Sequence, residues 1–232
     1  MRRCLVIAAK EPALGSVKTR LAATIGADAA LALYRCFLAD TIALADTMPD
    51  CQLAFSFWPA TASAFFARLR PGCLLLPQCG ANLGERMLNA FEQASANGYN
   101  RIVLIGSDLP GLPVAHVERA FAALDRQPAV LGPADDGGYY LLGLRAPQPA
   151  LFHSGIAWST PSVAQQTLAA AAAARLDIAS VPLWYDIDTA DDLRRLYADL
   201  RARTGGAHAP ATLAQLDALA QNEGLRQLLF SC

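Results

Sequence analysis

The most informative stretch of the sequence reads RIVLIGSDLPGLP, from Arg101 to Pro113. Its first part, Arg101–Ile105, is an apolar run of strand length, and a polar loop rich in glycine and proline follows at once. A continuous apolar run is typical of a strand buried on both faces of a parallel sheet. Because ligands of open α/β sheets bind beyond the carboxyl ends of such strands, the loop with Asp108 is a candidate functional segment.

Short apolar runs alternate with helical patterns on both sides of this stretch. The other strand candidates are Cys4–Ala9, Leu53–Phe57, Cys73–Leu76, Ala129–Leu131, Tyr139–Leu144 and Ile178–Leu183. The alternation predicts an α/β fold with a mostly parallel sheet and helices on both faces. The tight Asp136-Gly137-Gly138 turn lies between two strand candidates, so the sheet contains at least one antiparallel pair and is mixed.

Three helix starts can be recognised in the sequence. Asp28 is a plausible N-cap for the first long helical pattern. Asn82 and Glu85 form a start that resembles a capping box. Thr160 is expected to cap another helix, with Pro161 at its first position.

The chain is expected to form one main domain over residues 1–203 and an extension over residues 204–232. Gly205–Pro210 has the composition of a hinge, and Thr212–Leu229 has the pattern of a terminal helix or helix pair. No internal repeat is present.

Composition excludes several classes of protein. Of the 232 residues, 54% are hydrophobic and 17% are charged, so the chain has ample apolar surface for a core. Its net charge of -1 leaves no basic footprint for nucleic acid. No apolar run reaches the ~18 residues of a membrane span, and no signal peptide is recognisable. Six scattered cysteines without a C-x-x-C pair predict reduced thiols in the core of a cytoplasmic protein.

The loop after the first strand runs from Lys10 to Leu21 and contains Gly15, Lys18 and Arg20. A glycine-bearing loop with two cations that leads into a helix suits a phosphate group. The spacing does not match a P-loop, because the residue before the lysine is valine and the only glycine lies three residues earlier. An ordinary solvated basic helix start is the alternative.

The loop after the central strand offers Asp108 as a ligand for a hard divalent cation. Mg²⁺ is often held by only one or two carboxylates, and substrate phosphates complete its coordination. The alternative is a turn aspartate that accepts local backbone N–H groups.

The third loop, Gly132–Tyr140, contains Asp135 and Asp136 followed by two glycines. The carboxylates could bind an acceptor hydroxyl or act as a base, and the glycines permit close approach of a ligand. A hairpin turn that favours Asp-Gly for its geometry alone is an equally good interpretation. Trp58 and Trp158 could stack on a base, although core packing is favoured for both.

The fourth loop places Asp186 and Asp188 on one face if the backbone is extended. Either could complete a metal site with Asp108. Asp191 and Asp192 are expected to serve the N-terminus of the following helix, where negative charge is favourable.

Taken together, these loops resemble those of the nucleotide-diphospho-sugar transferase-like family, often encoded beside radical SAM proteins and described as glycosyltransferases of arsenosugar biosynthesis. The resemblance covers roughly residues 3 to 200. The basic first loop is also similar to that of the molybdopterin and phospholactate guanylyltransferases. The matching segments are Val17-Lys-Thr-Arg-Leu21, Leu83-Gly-Glu-Arg-Met87, Ile105-Gly-Ser-Asp-Leu-Pro-Gly-Leu112, Leu131-Gly-Pro-Ala-Asp-Asp-Gly-Gly-Tyr-Tyr-Leu-Leu-Gly-Leu144, Trp158-Ser-Thr160 and Asp186-Ile-Asp-Thr189.

The resemblance implies a Rossmann-like domain with the nucleotide-diphospho-sugar transferase fold. It also implies that Asp108 and Asp188 contact a catalytic Mg²⁺ or Mn²⁺. The residues expected to bind the nucleotide and its phosphates are Gly15, Lys18, Arg20 and Ser107. The residues expected at the sugar or acceptor are Asp135, Gly137, Gly138 and Trp158, with Asp136 as a third catalytic aspartate beside Asp108 and Asp188.

The expected function is metal-dependent transfer of a sugar from a nucleotide-diphospho-sugar to a small-molecule acceptor. Paired carboxylates near an aromatic ring suit a hydroxyl-rich sugar or acceptor, which favours this reaction. Two alternatives remain open. One is a nucleotidyltransferase that resembles guanylyltransferases, uses a nucleoside triphosphate and releases pyrophosphate, and the other is a non-catalytic nucleotide-binding module.

Overall fold

The computed structural model describes residues 2–203 and 207–221 of the chain. Its contacts divide the chain into two compact units, each built from three separate segments. The first unit consists of Met1–Glu11, Met48–Gly106 and Val114–Tyr185, and the second of Pro12–Thr47, Ser107–Pro113 and Asp186–Cys232.

The first unit contains a seven-stranded sheet in the order β3-β2-β1-β4-β6-β5-β7. In the described part of the chain only β6 runs antiparallel to its neighbours, β4 and β5, and the other pairs are parallel. The predicted mixed, mostly parallel sheet is therefore confirmed. The strands are β1 Arg3–Lys10, β2 Cys51–Trp58, β3 Leu74–Pro77, β4 Arg101–Gly106, β5 Ala129–Pro133, β6 Tyr139–Leu144 and β7 Ile178–Ser180.

Eight α-helices accompany these strands in the described residues, with 3-10 turns at Ala60–Ala62 and Pro149–Phe152. The helices α1, α2, α7 and α8 belong to the second unit, and the others belong to the first. Their bounds are α1 Thr19–Ile25, α2 Ala27–Asp46, α3 Ser63–Leu69, α4 Leu83–Ala96, α5 Val114–Ala123, α6 Val163–Ala173, α7 Ala190–Ala202 and α8 Pro210–Ala220.

Within the first unit, helices cover both faces of the sheet. Leu104 of β4 belongs to a buried cluster that includes Phe91 of α4. Neighbouring strand residues point to opposite faces, so Val103 lies on the other side of the sheet. There a Cβ atom at Gly143 would lie 3.3 Å from Val103 and 3.2 Å from Leu124, the residue after α5.

Of the three predicted helix caps, one is confirmed and two are wrong. Asn82 caps α4, because its side chain accepts the Glu85 N–H at 2.9 Å, as predicted. Asp28 is not an N-cap, since Gly26 precedes α2 and Asp28 lies in its first turn. Thr160 is not a cap either: its hydroxyl donates to the Ala157 carbonyl at 2.7 Å, and α6 begins two residues later than predicted.

The cysteine prediction is correct only in part. The five cysteines of the described residues are free thiols, but only Cys4 is buried. Cys79 is exposed and the other three are half-buried, so core filling does not explain most of them. Cys232 lies outside the described residues.

The expected extension over residues 204–232 stays a prediction, and residues 204–206 and 222–232 lie outside the described part. Within that part, α8 covers the first half of the predicted terminal helix. None of the described helices combines the length and apolar character required to cross a membrane.

A buried carboxylate connects two helices of the second unit. Asp40 of α2 is 6% exposed. Its two oxygens accept the N–H groups of Ala211 at 3.0 Å and Thr212 at 2.8 Å. These donors lie in the first turn of α8, whose own N-cap residue is alanine and has no side-chain acceptor. Asp40 therefore replaces the missing cap from a distant position in the sequence.

Replacing Asp40 with alanine should destabilise the protein, because two donors of the first turn of α8 lose their acceptor. The expected loss in free energy of unfolding is about 1–3 kcal/mol, measured by urea denaturation. Asp28→Ala on the exposed side of the same helix is the control and should cost less than about 1 kcal/mol. Equal effects of the two changes would contradict the capping role.

Candidate active site

The centre of the candidate site is the ammonium group of Lys18, which is buried among oxygen atoms. Only 2% of its side chain is exposed. Its Nζ lies 2.7 Å from Asp108 Oδ2, 2.9 Å from Asp188 Oδ1 and 2.6 Å from the Ile187 carbonyl oxygen. An ammonium group has three N–H donors, and here each has an acceptor.

The backbone of Lys18 is left-handed, with φ 49° and ψ 43°, at the N-cap of α1. This conformation is uncommon for residues other than glycine, and such residues cluster at functional sites. It places the side chain among the segments that follow β4 and precede α7 in sequence. The predicted loop leading into a helix is therefore present, but its lysine is not solvated.

The charge of Lys18 is secured by its neighbours. Burial alone lowers the pKa of its ammonium group, but the charges and hydrogen bonds of Asp108 and Asp188 outweigh burial and raise the pKa. Lys18 therefore remains a cation throughout the neutral pH range.

Arg20 lies beside the same carboxylates but is in a different environment. Its side chain is 76% exposed, and one guanidinium nitrogen lies 3.4 Å from Asp188 Oδ2. This contact is long for a charged pair, and exposed ion pairs of this kind contribute little to stability. Arg20 can therefore turn towards a ligand at low energetic cost.

A hydrogen-bonded chain holds Asp108 from the side opposite Lys18. The Ser107 hydroxyl donates to Asp108 Oδ1 at 3.2 Å, and the Tyr34 hydroxyl lies 3.2 Å from Ser107 Oγ. One hydrogen per hydroxyl suffices if Tyr34 donates to Ser107 and Ser107 donates to Asp108. The Ile187 N–H also donates to the Asp108 carbonyl, at 3.2 Å. The side chains of Tyr34 and Ser107 are both buried. A contact between Ser107 and a substrate phosphate stays a prediction.

The predicted metal ligands do converge on one point, but Lys18 is the cation there. Asp108 and Asp188 both place an oxygen within 3 Å of the same Nζ atom, so a single cation at that point can contact both. Among the described residues, no group of three or more His, Cys, Asp or Glu side chains forms a metal cage. Two carboxylates nevertheless suit Mg²⁺ or Mn²⁺ when phosphate oxygens complete the coordination. The pair fits such an ion provided that Lys18 moves away. A metal-ligand role for Asp186, the other candidate, stays a prediction.

Gly15 is needed for its backbone conformation. Its φ is +73°, a region that favours glycine, while a Cβ atom would meet nothing within 4 Å. The loop around it is therefore open.

In the first unit, Asp135 and Asp136 lie in the turn between β5 and β6, and both are exposed. Asp136 Oδ1 accepts the Gly138 N–H at 2.8 Å, which is the local turn interaction expected of an Asp-Gly turn. Gly137 has φ +88°, and a Cβ atom there would lie 2.1 Å from the Pro161 carbonyl oxygen. The turn is thus packed against the segment that follows Trp158. The predicted acceptor residues are neighbours, and their role stays a prediction.

The two tryptophans have different environments. Trp158 stacks on Phe152, with ring centroids 6.3 Å apart, and packs so closely on Gly84 of α4 that a Cβ atom there would lie 2.3 Å from the indole. Trp58 is 41% exposed, with the Arg86 guanidinium 4.9 Å from its ring centroid. The preference for core packing is wrong for Trp58 and correct for Trp158.

Asp191 and Asp192 serve the N-terminus of α7, as predicted. Thr189 and Asp192 form a reciprocal capping box, and Asp191 pairs with Arg194. Sequence patterns missed Tyr34 and the Ile187 carbonyl. Tyr34 has no motif around it and matches an ordinary core position of a helix, and a backbone carbonyl leaves no mark in a sequence.

Comparison with known proteins assigns the chain to a family. A family model described as "Uncharacterized protein conserved in bacteria (DUF2064)" matches residues 41–160. A solved structure described as "putative nucleotide-diphospho-sugar transferase", from Desulfovibrio desulfuricans G20, is 35% identical, with a TM-score of 0.88. The match covers 98% of this chain and 99% of that one. The chain belongs to the DUF2064 family. No curated protein matches it at a significant level.

More distant structures share the fold of this DUF2064 protein. One is 4-diphosphocytidyl-2C-methyl-D-erythritol synthase from Anaerococcus prevotii DSM 20548, at 10% identity and a TM-score of 0.55, covering 86% of this chain and 98% of that one. Another is a CMP:2-keto-3-deoxy-manno-octonic acid synthetase in complex with CTP, at 13% identity and a TM-score of 0.51, covering 88% and 100%. These matches confirm the Rossmann-like transferase fold. The narrower resemblances to arsenosugar-type glycosyltransferases and to guanylyltransferases stay predictions.

The DUF2064 match includes only part of the candidate site. Asp108, Asp136 and Trp158 lie within residues 41–160, whereas Lys18 and Asp188 lie outside. The match with the Desulfovibrio protein covers 98% of the chain.

Gly84→Ala should destabilise this DUF2064 protein, although alanine favours helices more than glycine does. The added methyl group would overlap the Trp158 indole, and overpacking of this kind costs about 1–3 kcal/mol of unfolding free energy. Urea unfolding followed by tryptophan fluorescence measures the loss. Adding Trp158→Phe should restore part of the stability of Gly84→Ala, since the smaller ring leaves room. Independent, additive effects would show that the contact is not the cause.

Proposed function

We propose that this protein is a transferase that uses a nucleotide and recognises its phosphates through Lys18 and Arg20. The observation that carries the proposal is the buried Lys18 ammonium, held in a left-handed backbone between two half-exposed carboxylates. Strained backbone and closely grouped opposite charges are features of functional sites. The 35% identical relative, described as a "putative nucleotide-diphospho-sugar transferase", supports the choice of substrate class.

Phosphate recognition follows from the chemistry of the two cations. Arg20 is exposed, and its planar guanidinium can donate two parallel hydrogen bonds to a phosphate. Lys18 supplies a compact charge that suits a diphosphate oxygen. Asp108 and Asp188 would then hold Mg²⁺ or Mn²⁺, which neutralises charge on a departing phosphate oxygen. Tyr34 and Ser107 keep Asp108 oriented.

The reaction that we propose is transfer of a sugar from a nucleotide-diphospho-sugar to a small-molecule acceptor. The exposed Asp135 and Asp136 carboxylates in the first unit are proposed to bind acceptor or sugar hydroxyls. One oxygen of Asp136 is engaged in the turn, and the residue as a whole is exposed. Gly137 and Gly138 add no side chains to the turn. Trp158, in the segment that packs against this turn, is proposed to contribute an apolar ring surface.

The phosphate role is tested by nucleotide titration of Arg20 variants. Arg20→Lys keeps the charge but loses the bidentate geometry, so affinity for a nucleotide-sugar should fall about tenfold. Lys18→Ala combined with Arg20→Ala should reduce it further. Arg35→Lys, at an exposed position of the same unit, is the matched control and should bind like wild type. An unchanged titration in the double variant would remove the phosphate role.

The reaction class is tested by the product. With Mg²⁺ or Mn²⁺ and a panel of nucleotide-sugars and acceptors, we expect release of nucleoside diphosphate. Asp108→Asn and Asp188→Asn should fold and lose this activity, because each removes an anionic metal ligand and keeps the shape. Pyrophosphate from nucleoside triphosphates, without nucleoside diphosphate from any sugar donor, would identify a nucleotidyltransferase instead. Nucleotide binding without either product would indicate a binding module.

A further inference from the structure

Lys18 occupies the one point that both candidate metal ligands face. The nearest oxygens of Asp108 and Asp188 lie 2.7 Å and 2.9 Å from its Nζ. Their other oxygens are engaged as well, since Asp108 Oδ1 accepts from Ser107 and Asp188 Oδ2 lies near Arg20. A divalent ion shared by the two carboxylates would need the position that the ammonium group fills.

We propose that Lys18 is the resident cation of this two-carboxylate position and makes divalent-cation binding conditional on a phosphate ligand. A phosphate group draws the ammonium away from the carboxylates, and a divalent ion can then take its place. The inference rests on the proposed function and adds an order to it, with phosphate before metal.

Charge balance supports this order. Asp108 and Asp188 carry two negative charges, and Lys18 and Arg20 carry two positive charges, so these four paired side chains balance one another without any ion. A divalent ion alone would give the cluster an excess of two positive charges, at close range to an ammonium group that burial prevents from being hydrated. A diphosphate brings at least two negative charges, so it removes the excess and offers Lys18 a new partner.

The backbone at Lys18 supports the same order. A left-handed lysine persists only where surrounding contacts over-determine it. Those contacts include the three hydrogen bonds of its own ammonium group. The carboxylates are 35% and 41% exposed while Lys18 is 2% exposed, so both acids are open to solvent although the cation between them is buried.

The chain provides a matched control, because Lys10 and Lys18 are its only lysines. Binding of Mn²⁺ alone should be measured by calorimetry and by the electron paramagnetic resonance of free Mn²⁺. Without phosphate, wild type and Lys10→Met should bind Mn²⁺ weakly. Lys18→Met, similar in shape and uncharged, should bind it at least about tenfold more tightly. Equal affinity in wild type and Lys18→Met, whether tight or undetectable, overturns the proposal.

A second readout uses wild-type protein and does not depend on a variant at Lys18. Selective ¹³Cε labelling of lysine gives two signals, and Lys10→Met identifies that of Lys18 by elimination. Mg²⁺ alone should leave the Lys18 signal in place, and inorganic pyrophosphate alone should shift it. A shift caused by Mg²⁺ alone, or bound pyrophosphate that leaves the signal unmoved, overturns the proposal.

The outcomes separate this inference from the proposed function. If pyrophosphate and nucleotides bind through Arg20 while Mn²⁺ affinity is the same in wild type and Lys18→Met, only the order of binding is wrong. If neither pyrophosphate nor any nucleotide binds, the proposed function is wrong and the order falls with it. Circular dichroism of each variant confirms that changes in affinity come from the site and not from unfolding.

Discussion

The second unit depends on one interaction, the three-way contact of the Lys18 ammonium with Asp108, Asp188 and the Ile187 carbonyl. The unit is built from three separate segments, and this contact joins all three: Lys18 comes from the first, Asp108 from the second, and Asp188 and Ile187 from the third. A buried ammonium without partners would be costly, so the packing of each of these segments depends on the presence of the other two. Asp40 at the start of α8 adds a second such tie between the first and third segments.

Local patterns predicted the sheet well and the cluster only in part. Apolar runs such as Arg101–Ile105 form strands because a strand of a parallel sheet is buried on both faces and therefore needs apolar residues at successive positions. Asn82 caps α4 through the N–H group of a residue only three positions away. Thr160 carries the same local signal, yet its hydroxyl bonds Ala157 and the Pro161 segment packs on Gly137. Tertiary contacts decided that case, and no local pattern contains them.

The candidate site shows the same division. The loops with Lys18, Asp108 and Asp188 could be selected from sequence, since each combines charge with a predicted strand or helix end. Their mutual arrangement could not, because the hydrogen bonds from Lys18 to Ile187 and Asp188 span 169 and 170 residues of sequence. Composition and spacing contain no information on which cation the two carboxylates hold. Tyr34 could not be found for a related reason, as a buried helix position accepts a tyrosine for packing alone.

The exposure of the three charged groups distinguishes this cluster from an ordinary structural ion pair. In a purely structural pair, burial of the cation would be accompanied by burial of its anions, because removing both from water is what makes the pair specific and costly. Here Lys18 is almost fully buried while both carboxylates retain more than a third of their exposure. The two carboxylates are therefore exposed to solvent while the buried Lys18 ammonium balances part of their charge. Such an arrangement keeps two acids close together and accessible in the absence of a ligand.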